Sequence, residues 1–268
     1  MNKILITGAN GLIGNLVYGH LSSLSQVYDV LGLDHSAQPS PRILPADVTT
    51  IPPERLVLAD LTDAEAVLQA VQGVRQVVHM AAEPGGNDWE RILPNNLVGS
   101  YNVFEACRQE GVKRIIFASS VMVHFGYFAE DPFKAFREGR FNDVPDDFKR
   151  LTQDDRPRPT TLYAASKVWG ESLGSYYAEV HGLSCLCLRV GWVVAENRPR
   201  PHYGYSAWCS HRDICQLVQR CLEAPPELKF DIFYGFSNNR YAFADLEHTR
   251  QVLGYQPEDS ADDYMSWD

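Results

Sequence analysis

The sequence predicts an α/β protein, a doubly wound parallel sheet followed by a small substrate-binding region in the C-terminal part of the chain. Two observations carry this prediction. Over the first two-thirds of the chain, short apolar runs alternate with amphipathic stretches, as in βαβ units that form a parallel sheet covered on both faces. A glycine-rich sequence directly follows the first apolar run, where a tight turn into a helix is expected.

The secondary-structure elements follow from the apolar pattern. The predicted strands are the apolar runs at residues 3–7, 30–33, 56–58, 77–80, 114–119 and 183–190. Predicted helices cover residues 63–72, 95–111, 163–180 and 214–223, and one more begins in the glycine-rich sequence. Thr62-Asp63-Ala64-Glu65 has the form of a capping box, which predicts that Thr62 caps the helix at 63–72.

The chain is expected to form a single domain over residues 1–268, with a core at about 1–190. An insertion at about 127–161 is rich in Pro, Asp, Phe and Arg and has no clean period, so we expect a substrate-facing loop or lid. The C-terminal segment, about 191–268, contains a second candidate substrate-facing loop at 194–207. Surface excursions without function are the alternative for both loops.

Composition narrows the possible partners. A formal net charge of −10 leaves no basic stripe for nucleic acid or an anionic membrane. The six cysteines show no zinc-ligand spacing, so they are expected to be small buried hydrophobes in a reducing compartment, and no metal is expected. We find neither a leader-like segment nor an apolar stretch of about 20 residues. A cytoplasmic location is therefore expected.

The first motif is Gly8-Ala9-Asn10-Gly11-Leu12-Ile13-Gly14, between the first strand and a helix. Glycines in this context let backbone N–H groups and the helix N-terminus approach a pyrophosphate. Asp34 ends the second strand at the spacing of an acid that accepts hydrogen bonds from an adenosine ribose, and its charge would repel a 2′-phosphate. His35 and Ser36 add no cation, and Arg42 lies further along the chain. NAD is therefore favoured over NADP.

The second motif is Tyr163-Ala164-Ala165-Ser166-Lys167, which places Tyr163 and Lys167 one turn apart on one helix face. A phenol has a pKa near ~10, and a nearby ammonium favours its phenolate. We therefore expect Lys167 to prime Tyr163 for proton transfer and to bind the nicotinamide ribose. Ser120, after the fifth strand, would hydrogen-bond the substrate oxygen. The set suits interconversion of a carbonyl and an alcohol.

These residues resemble the extended short-chain dehydrogenase/reductase superfamily, also described as the NAD-dependent epimerase/dehydratase family, which has a Rossmann-type fold. The motifs at 8–14, 77–82, 96–102, 117–120 and 163–167 occur in the order found there. Within the superfamily, the sequences at 89–93, 101–106 and 206–213 are most similar to uronate dehydrogenases. Those enzymes oxidise the anomeric carbon of a hexuronic acid to a lactone with NAD.

The resemblance implies a role for each matching position. Ser120, Tyr163 and Lys167 would be catalytic. The cofactor would be bound by Gly8, Asn10, Gly11, Leu12, Ile13, Gly14, Asp34, Asp60, Leu61, Ala81, Ala82, Asn96, Tyr163 and Lys167. Asp60 could accept a hydrogen bond from the adenine amino group, or could simply begin a helix, and Asn96 would support the site by hydrogen bonding.

The chain departs from uronate dehydrogenases at the positions expected to contact substrate. These positions are Pro84, Val121, Met122, Trp192 and Tyr203. They lack the polar groups that bind a uronic acid, so the substrate is left open between a small sugar, a sugar acid and a secondary alcohol. The aromatic-rich insertion suggests a less polar pocket, or else packs onto the protein body.

Two alternatives use the same fold. A nucleotide-sugar epimerase or dehydratase would use the same three catalytic residues, but it needs a larger C-terminal region for the nucleotide. A catalytically silent NAD-sensing regulator is expected to lose Tyr163 or Lys167, and both are present. The partners expected are a small-molecule substrate and, by analogy with the superfamily, a second copy in a homodimer.

Overall fold

The computed structural model describes residues 1–84 and 86–265. Seven strands form one parallel sheet, and they are β1 Asn2–Thr7, β2 Tyr28–Asp34, β3 Leu56–Leu58, β4 Gln76–His79, β5 Arg114–Ser120, β6 Ser184–Val190 and β7 Phe230–Gly235. Their spatial order is β3-β2-β1-β4-β5-β6-β7. The predicted doubly wound parallel sheet is confirmed. The strand missing from the prediction is β7, whose residues pair with β6 from Cys185 to Val190.

Helices cover both faces of the sheet. They are α1 Leu12–Ser23, α2 Ala64–Val71, α3 Trp89–Ile92, α4 Gly99–Gln109, α5 Phe133–Glu138, α6 Leu162–His181, α7 Tyr203–Ala207, α8 His211–Glu223 and α9 Glu247–Leu253. On one face α2 packs against α4 and α4 against α6, while α1 packs against α8. In the part of the chain that is described, no helix combines the length and the apolar character needed to cross a membrane.

Two layers of apolar side chains hold these helices on the sheet. Successive strand residues face opposite sides, so Ile4 and Ile116 belong to one buried cluster and Leu5 and Ile115 to the other. The six cysteines are unpaired and buried, as expected for small hydrophobic side chains.

The predicted cap of α2 is wrong. Asp63 is the N-cap, and its Oδ1 accepts hydrogen bonds from the N–H groups of Glu65 and Ala66, both at 3.1 Å. The Thr62 hydroxyl instead donates to Asp60 Oδ1 at 2.8 Å. Because that bond turns the Thr62 side chain towards the preceding loop, the cap shifts by one residue.

The helix predicted at 95–111 begins earlier and is not uniform. It starts at Trp89 in α3, passes through a π-helical turn at Leu93–Val98 and continues as α4. π-Helical turns inside helices are frequent at functional sites. This one carries Asn96 and borders the cleft described below.

The insertion between β5 and α6 is packed onto the body of the protein. It contains α5 and two 3-10 turns, and Leu151 N–H donates to Phe243 O at 3.0 Å. Its aromatic rings meet those of the C-terminal region, as shown by Phe128 and Phe243 with centroids 5.2 Å apart. These aromatic side chains therefore act as core between two distant segments. The expected C-terminal segment extends to residues 266–268, which lie outside the described residues.

Candidate active site

A cleft of about 820 Å³ lies at the carboxyl ends of the central strands. The strand order reverses between β1 and β4, and open α/β sheets bind ligands at this point. The cleft runs from the turn after β1 to the end of β5 and the start of α6. It brings together Gly8, Asp34, Ser120, Tyr163 and Lys167, which are distant in sequence.

The turn after β1 forms the floor at one end of the cleft. Gly8 has φ +69°, and a side chain on it would collide with Ala81. A Cβ on Gly14 would lie 2.0 Å from Gly8 O. Gly11 is the N-cap of α1, and no side chain caps the helix. The first N–H groups of a 12-residue helix therefore face the cleft, which fits the pyrophosphate of a dinucleotide.

Asp34 is held beside this turn with an exposure of only 6%. Its Oδ2 accepts from Asn10 N at 3.0 Å, and its Oδ1 accepts from Ser36 N at 3.2 Å. The His35 ring lies 3.0 Å from the same Oδ1. Carboxylate oxygens accept more than one hydrogen bond, so Asp34 can also accept from ribose hydroxyls.

Further expected cofactor residues line the same cleft. They are Asn10, Leu12, Ile13, Asp60, Leu61, Ala81 and Ala82. Hydrogen bonds from the backbone and side chain of Thr62 lower the pKa of Asp60. Asp60 therefore lines the cleft and also begins the turn before α2. A hydrogen bond to the adenine and a role at the start of the helix are thus compatible.

Asn96 does not line the cleft. Its Oδ1 accepts from Glu83 N at 2.7 Å, and its Nδ2 donates to Ser166 Oγ at 2.9 Å. The buried amide thus ties the wall at residue 83 to α6, one residue before Lys167. The structure places Asn96 as a support for the site, with no direct access to a ligand.

The three expected catalytic residues meet at the other end of the cleft. The side chains of Ser120 and Tyr163 line the same part of the cleft, and the interaction with Ser120 acts to lower the pKa of Tyr163. Ser120 Oγ also accepts from Met122 N at 3.2 Å, which fixes the hydroxyl. Lys167 Nζ lies 5.5 Å from the centroid of the Tyr163 ring and 5.0 Å from that of Phe117. The spacing read from the sequence therefore brings these groups together.

Burial governs the ionisation of this set. It lowers the pKa of Lys167 to about 7. Desolvation also raises the pKa of Tyr163, against the opposing effects of the hydrogen bond with Ser120 and of the Arg42 charge. Lys167 was expected to favour the Tyr163 phenolate, but the pKa of Tyr163 is not lowered overall. The effect of desolvation on this pKa is the larger one, and Lys167 is itself only partly charged at neutral pH.

A buried ion pair supports the end of β5. Arg189 is 1% exposed, and its Nε and Nη2 donate to the two oxygens of Glu171 at 2.8 and 2.9 Å. Ser119 Oγ donates to Glu171 Oε1 at 2.6 Å. Ser119 precedes Ser120, and Glu171 lies one turn after Lys167 on α6. The pair therefore fixes the end of β5, which carries Ser120, relative to α6, which carries Tyr163 and Lys167.

The structure places four of the five expected substrate positions in the cleft. Pro84, Val121, Met122 and Trp192 line the cleft. Tyr203 does not, although its ring packs on Trp192 with centroids 5.8 Å apart. Among the described residues, neither the insertion at 127–161 nor the loop at 194–207 contributes to the cleft lining.

Sequence reasoning missed two features of the cleft. Arg42 reaches it from the long β2–β3 connection. Arg91 and Glu83 form an ion pair of 2.7 Å, and both line the cleft. No local pattern marked these residues, because their positions depend on how loops cross the sheet edge.

Comparison with known proteins places this architecture in a family. The model of the NAD dependent epimerase/dehydratase family matches residues 4–211. The chain belongs to this family. The expectations of an enzyme of the extended short-chain dehydrogenase/reductase type, with NAD as its cofactor, are thereby confirmed.

Similar members of the family are sugar dehydrogenases. NAD-dependent glucose-6-phosphate dehydrogenase of Haloferax volcanii is 32% identical, over 97% of this chain and 95% of its own length. Uronate dehydrogenase of Pseudomonas putida is 30% identical, over 99% of this chain and 87% of its own. The structure of a tyrosine variant of uronate dehydrogenase from Agrobacterium tumefaciens, complexed with NAD, has a TM-score of 0.78 and 28% identity, covering 98% and 87% of the two chains.

Proposed function

We propose that the protein is an NAD-dependent dehydrogenase of a small, uncharged cyclic sugar, with Ser120, Tyr163 and Lys167 as its catalytic residues. The observation that carries this proposal is that Ser120, Tyr163 and Lys167 line the same cleft as the uncapped N-terminus of α1 and Asp34. A proton-transfer group and a dinucleotide cradle therefore share one cavity.

The residues divide the reaction between them. Bound NAD supplies the acceptor for the hydride. Tyr163 takes the proton of the sugar hydroxyl in its phenolate form, which burial disfavours and the Arg42 charge favours, while the Ser120 hydroxyl donates a hydrogen bond to the same oxygen. Lys167 holds the ribose next to the nicotinamide and offsets the charge that Tyr163 carries as a base.

The walls of the cleft favour an uncharged substrate. Val121, Met122 and Trp192 make the wall near Ser120 largely apolar. Arg91 would be a natural partner for a carboxylate or phosphate, but Glu83 Oε2 lies 2.7 Å from its guanidinium. A neutral sugar leaves this ion pair intact, whereas an anionic sugar would have to compete with Glu83. This distinguishes the proposed substrate from those named for the glucose-6-phosphate and uronate dehydrogenases.

The test is NADH absorbance during incubation of the protein and NAD with glucose, glucuronate, glucose 6-phosphate and simple secondary alcohols. We expect NADH with neutral sugars. Tyr163→Phe should lower kcat by about 10²-fold or more while NAD affinity is kept. Tyr176→Phe, an exposed tyrosine on the same helix, is the matched control.

Other outcomes are equally informative. Turnover of anionic sugars alone would overturn the substrate class. If Tyr163→Phe retained most of its turnover, the catalytic role of Tyr163 would be wrong. Tightly retained NAD with no net NADH from any substrate would favour an epimerase or dehydratase.

A further inference from the structure

The connection between β2 and β3 folds back over the glycine-rich turn. Ser40 N donates to Asn10 O at 2.8 Å, which fastens the connection to the turn. Three residues later Ile43 is 5% exposed in the apolar core, and its N–H donates to Ser40 O at 3.0 Å. The intervening Arg42 N donates to Ser40 Oγ at 3.2 Å. Arg42 is therefore held between two anchors.

The Arg42 side chain brings a positive charge to the cleft. It lines the cleft together with Gly11, Ile13 and Tyr163. It forms no ion pair with a carboxylate in the described part of the chain, although the protein carries a net charge of −10. Its charge also acts on Tyr163 in the direction of a lower phenol pKa, against the larger effect of desolvation. The charge is therefore directed into the cleft, towards its catalytic end.

We infer that Arg42 binds the pyrophosphate of the dinucleotide from the side opposite the glycine-rich turn. Along the cleft, the pyrophosphate must lie between the group at Asp34 and the group at Tyr163, and Arg42 lines the cleft together with both residues. The turn and helix N-terminus offer only neutral N–H donors to two phosphate charges. A guanidinium adds two parallel charge-assisted hydrogen bonds, which match phosphate geometry.

Two other ligands for Arg42 have to be distinguished from the pyrophosphate. The 2′-phosphate of NADP would lie at Asp34, whose buried carboxylate repels it, whereas the charge of Arg42 also acts on Tyr163. An anionic group of the substrate would lie by Met122 and Trp192, which line the same cleft, so the experiment below compares binding of NAD and ADP-ribose with the KM for the sugar. The inference rests on the assignment of the cleft to NAD and holds for any substrate.

The experiment measures binding and needs no turnover. Dissociation constants for NAD, ADP-ribose and adenosine are determined by calorimetry for the wild type, Arg42→Ala and Arg42→Lys, at two salt concentrations. Arg42→Ala should weaken NAD and ADP-ribose about tenfold and reduce the salt dependence of their binding, while adenosine binding is unchanged. Arg42→Lys should recover part of the loss. Arg55→Ala, in the same connection but paired with Asp29 outside the cleft, should have no effect.

Three results would overturn the inference. The first is unchanged NAD and ADP-ribose affinity with a raised KM for the sugar only, which would assign Arg42 to the substrate. The second is a loss of affinity in Arg42→Ala that is confined to NADP. The third is an equal loss in Arg55→Ala, which would show a general effect of surface charge. Failure of the proposed sugar oxidation would leave these binding constants interpretable, so the two proposals fail separately.

Discussion

Lys167 makes the stability of the protein depend on pH in a way that one substitution can isolate. Burial lowers the pKa of Lys167 from 10.5 to about 7. Between these values the unfolded chain binds a proton at Lys167 and the folded chain does not, so the free energy of unfolding rises with pH. The rise is about 1.4 kcal/mol per pH unit, and about 5 kcal/mol over the whole interval.

Lys167→Met removes this titration and keeps an unbranched side chain of similar length. At pH 6.5 the variant should be more stable than the wild type by several kcal/mol, because it avoids burying an ammonium group. The advantage should shrink by about 3 kcal/mol between pH 7.5 and 9.5. Buried tyrosines and cysteines also titrate at alkaline pH, but they are common to both proteins and cancel in the difference.

The measurement is urea denaturation followed by far-UV circular dichroism at pH 6.5, 7.5, 8.5 and 9.5. Lys113→Met, at an exposed lysine before β5, is the matched control and should track the wild type at each pH. A constant difference between Lys167→Met and the wild type across the series would refute the reasoning. It would show that Lys167 stays charged in the folded protein, through its contacts with the Phe117 and Tyr163 rings.

Two further predictions concern the support of the site and the choice of cofactor. Glu171→Ala leaves the buried Arg189 guanidinium unpaired and should lower the free energy of unfolding, measured by urea denaturation, by about 3–5 kcal/mol. The control Glu258→Ala breaks an exposed pair with Arg212 and should lower it by less than about 1 kcal/mol. Equal losses in the two variants would contradict the role of the buried pair. Asp34→Ala should weaken NAD binding about tenfold and NADP binding less, and an unchanged ratio of the two dissociation constants in calorimetry would exclude Asp34 as the ribose acceptor.

Much of the candidate site could be read from short stretches of sequence. The glycine spacing before α1, the position of Asp34 at the end of β2, and the spacing of Tyr163 and Lys167 each describe a few neighbouring residues. Local geometry of strands and helices then fixes their relative positions. Since parallel strands present their carboxyl ends at one edge, the meeting of these residues in one cleft was also predictable.

Other features depended on contacts between distant segments. The insertion after β5 contains aromatic residues that suit either a pocket or a core, and the choice depends on Phe243, more than a hundred residues further along. β7 was missed because its run, FDIFYG, includes a charged residue and becomes a strand by pairing with β6. The cap of α2 fell to Asp63 because Asp60 takes the Thr62 hydroxyl.

The sequence by itself determined the α/β class, the glycine-rich turn, the position of Asp34 and the proposed catalytic set of Ser120, Tyr163 and Lys167. Only the tertiary structure decided that Arg42 enters the cleft, that Glu83 neutralises Arg91, and that burial brings the pKa of Lys167 to about 7. The physical reason is one of range. Periodicity and capping act over a few residues, whereas burial and the pairing of charges depend on which distant surfaces meet.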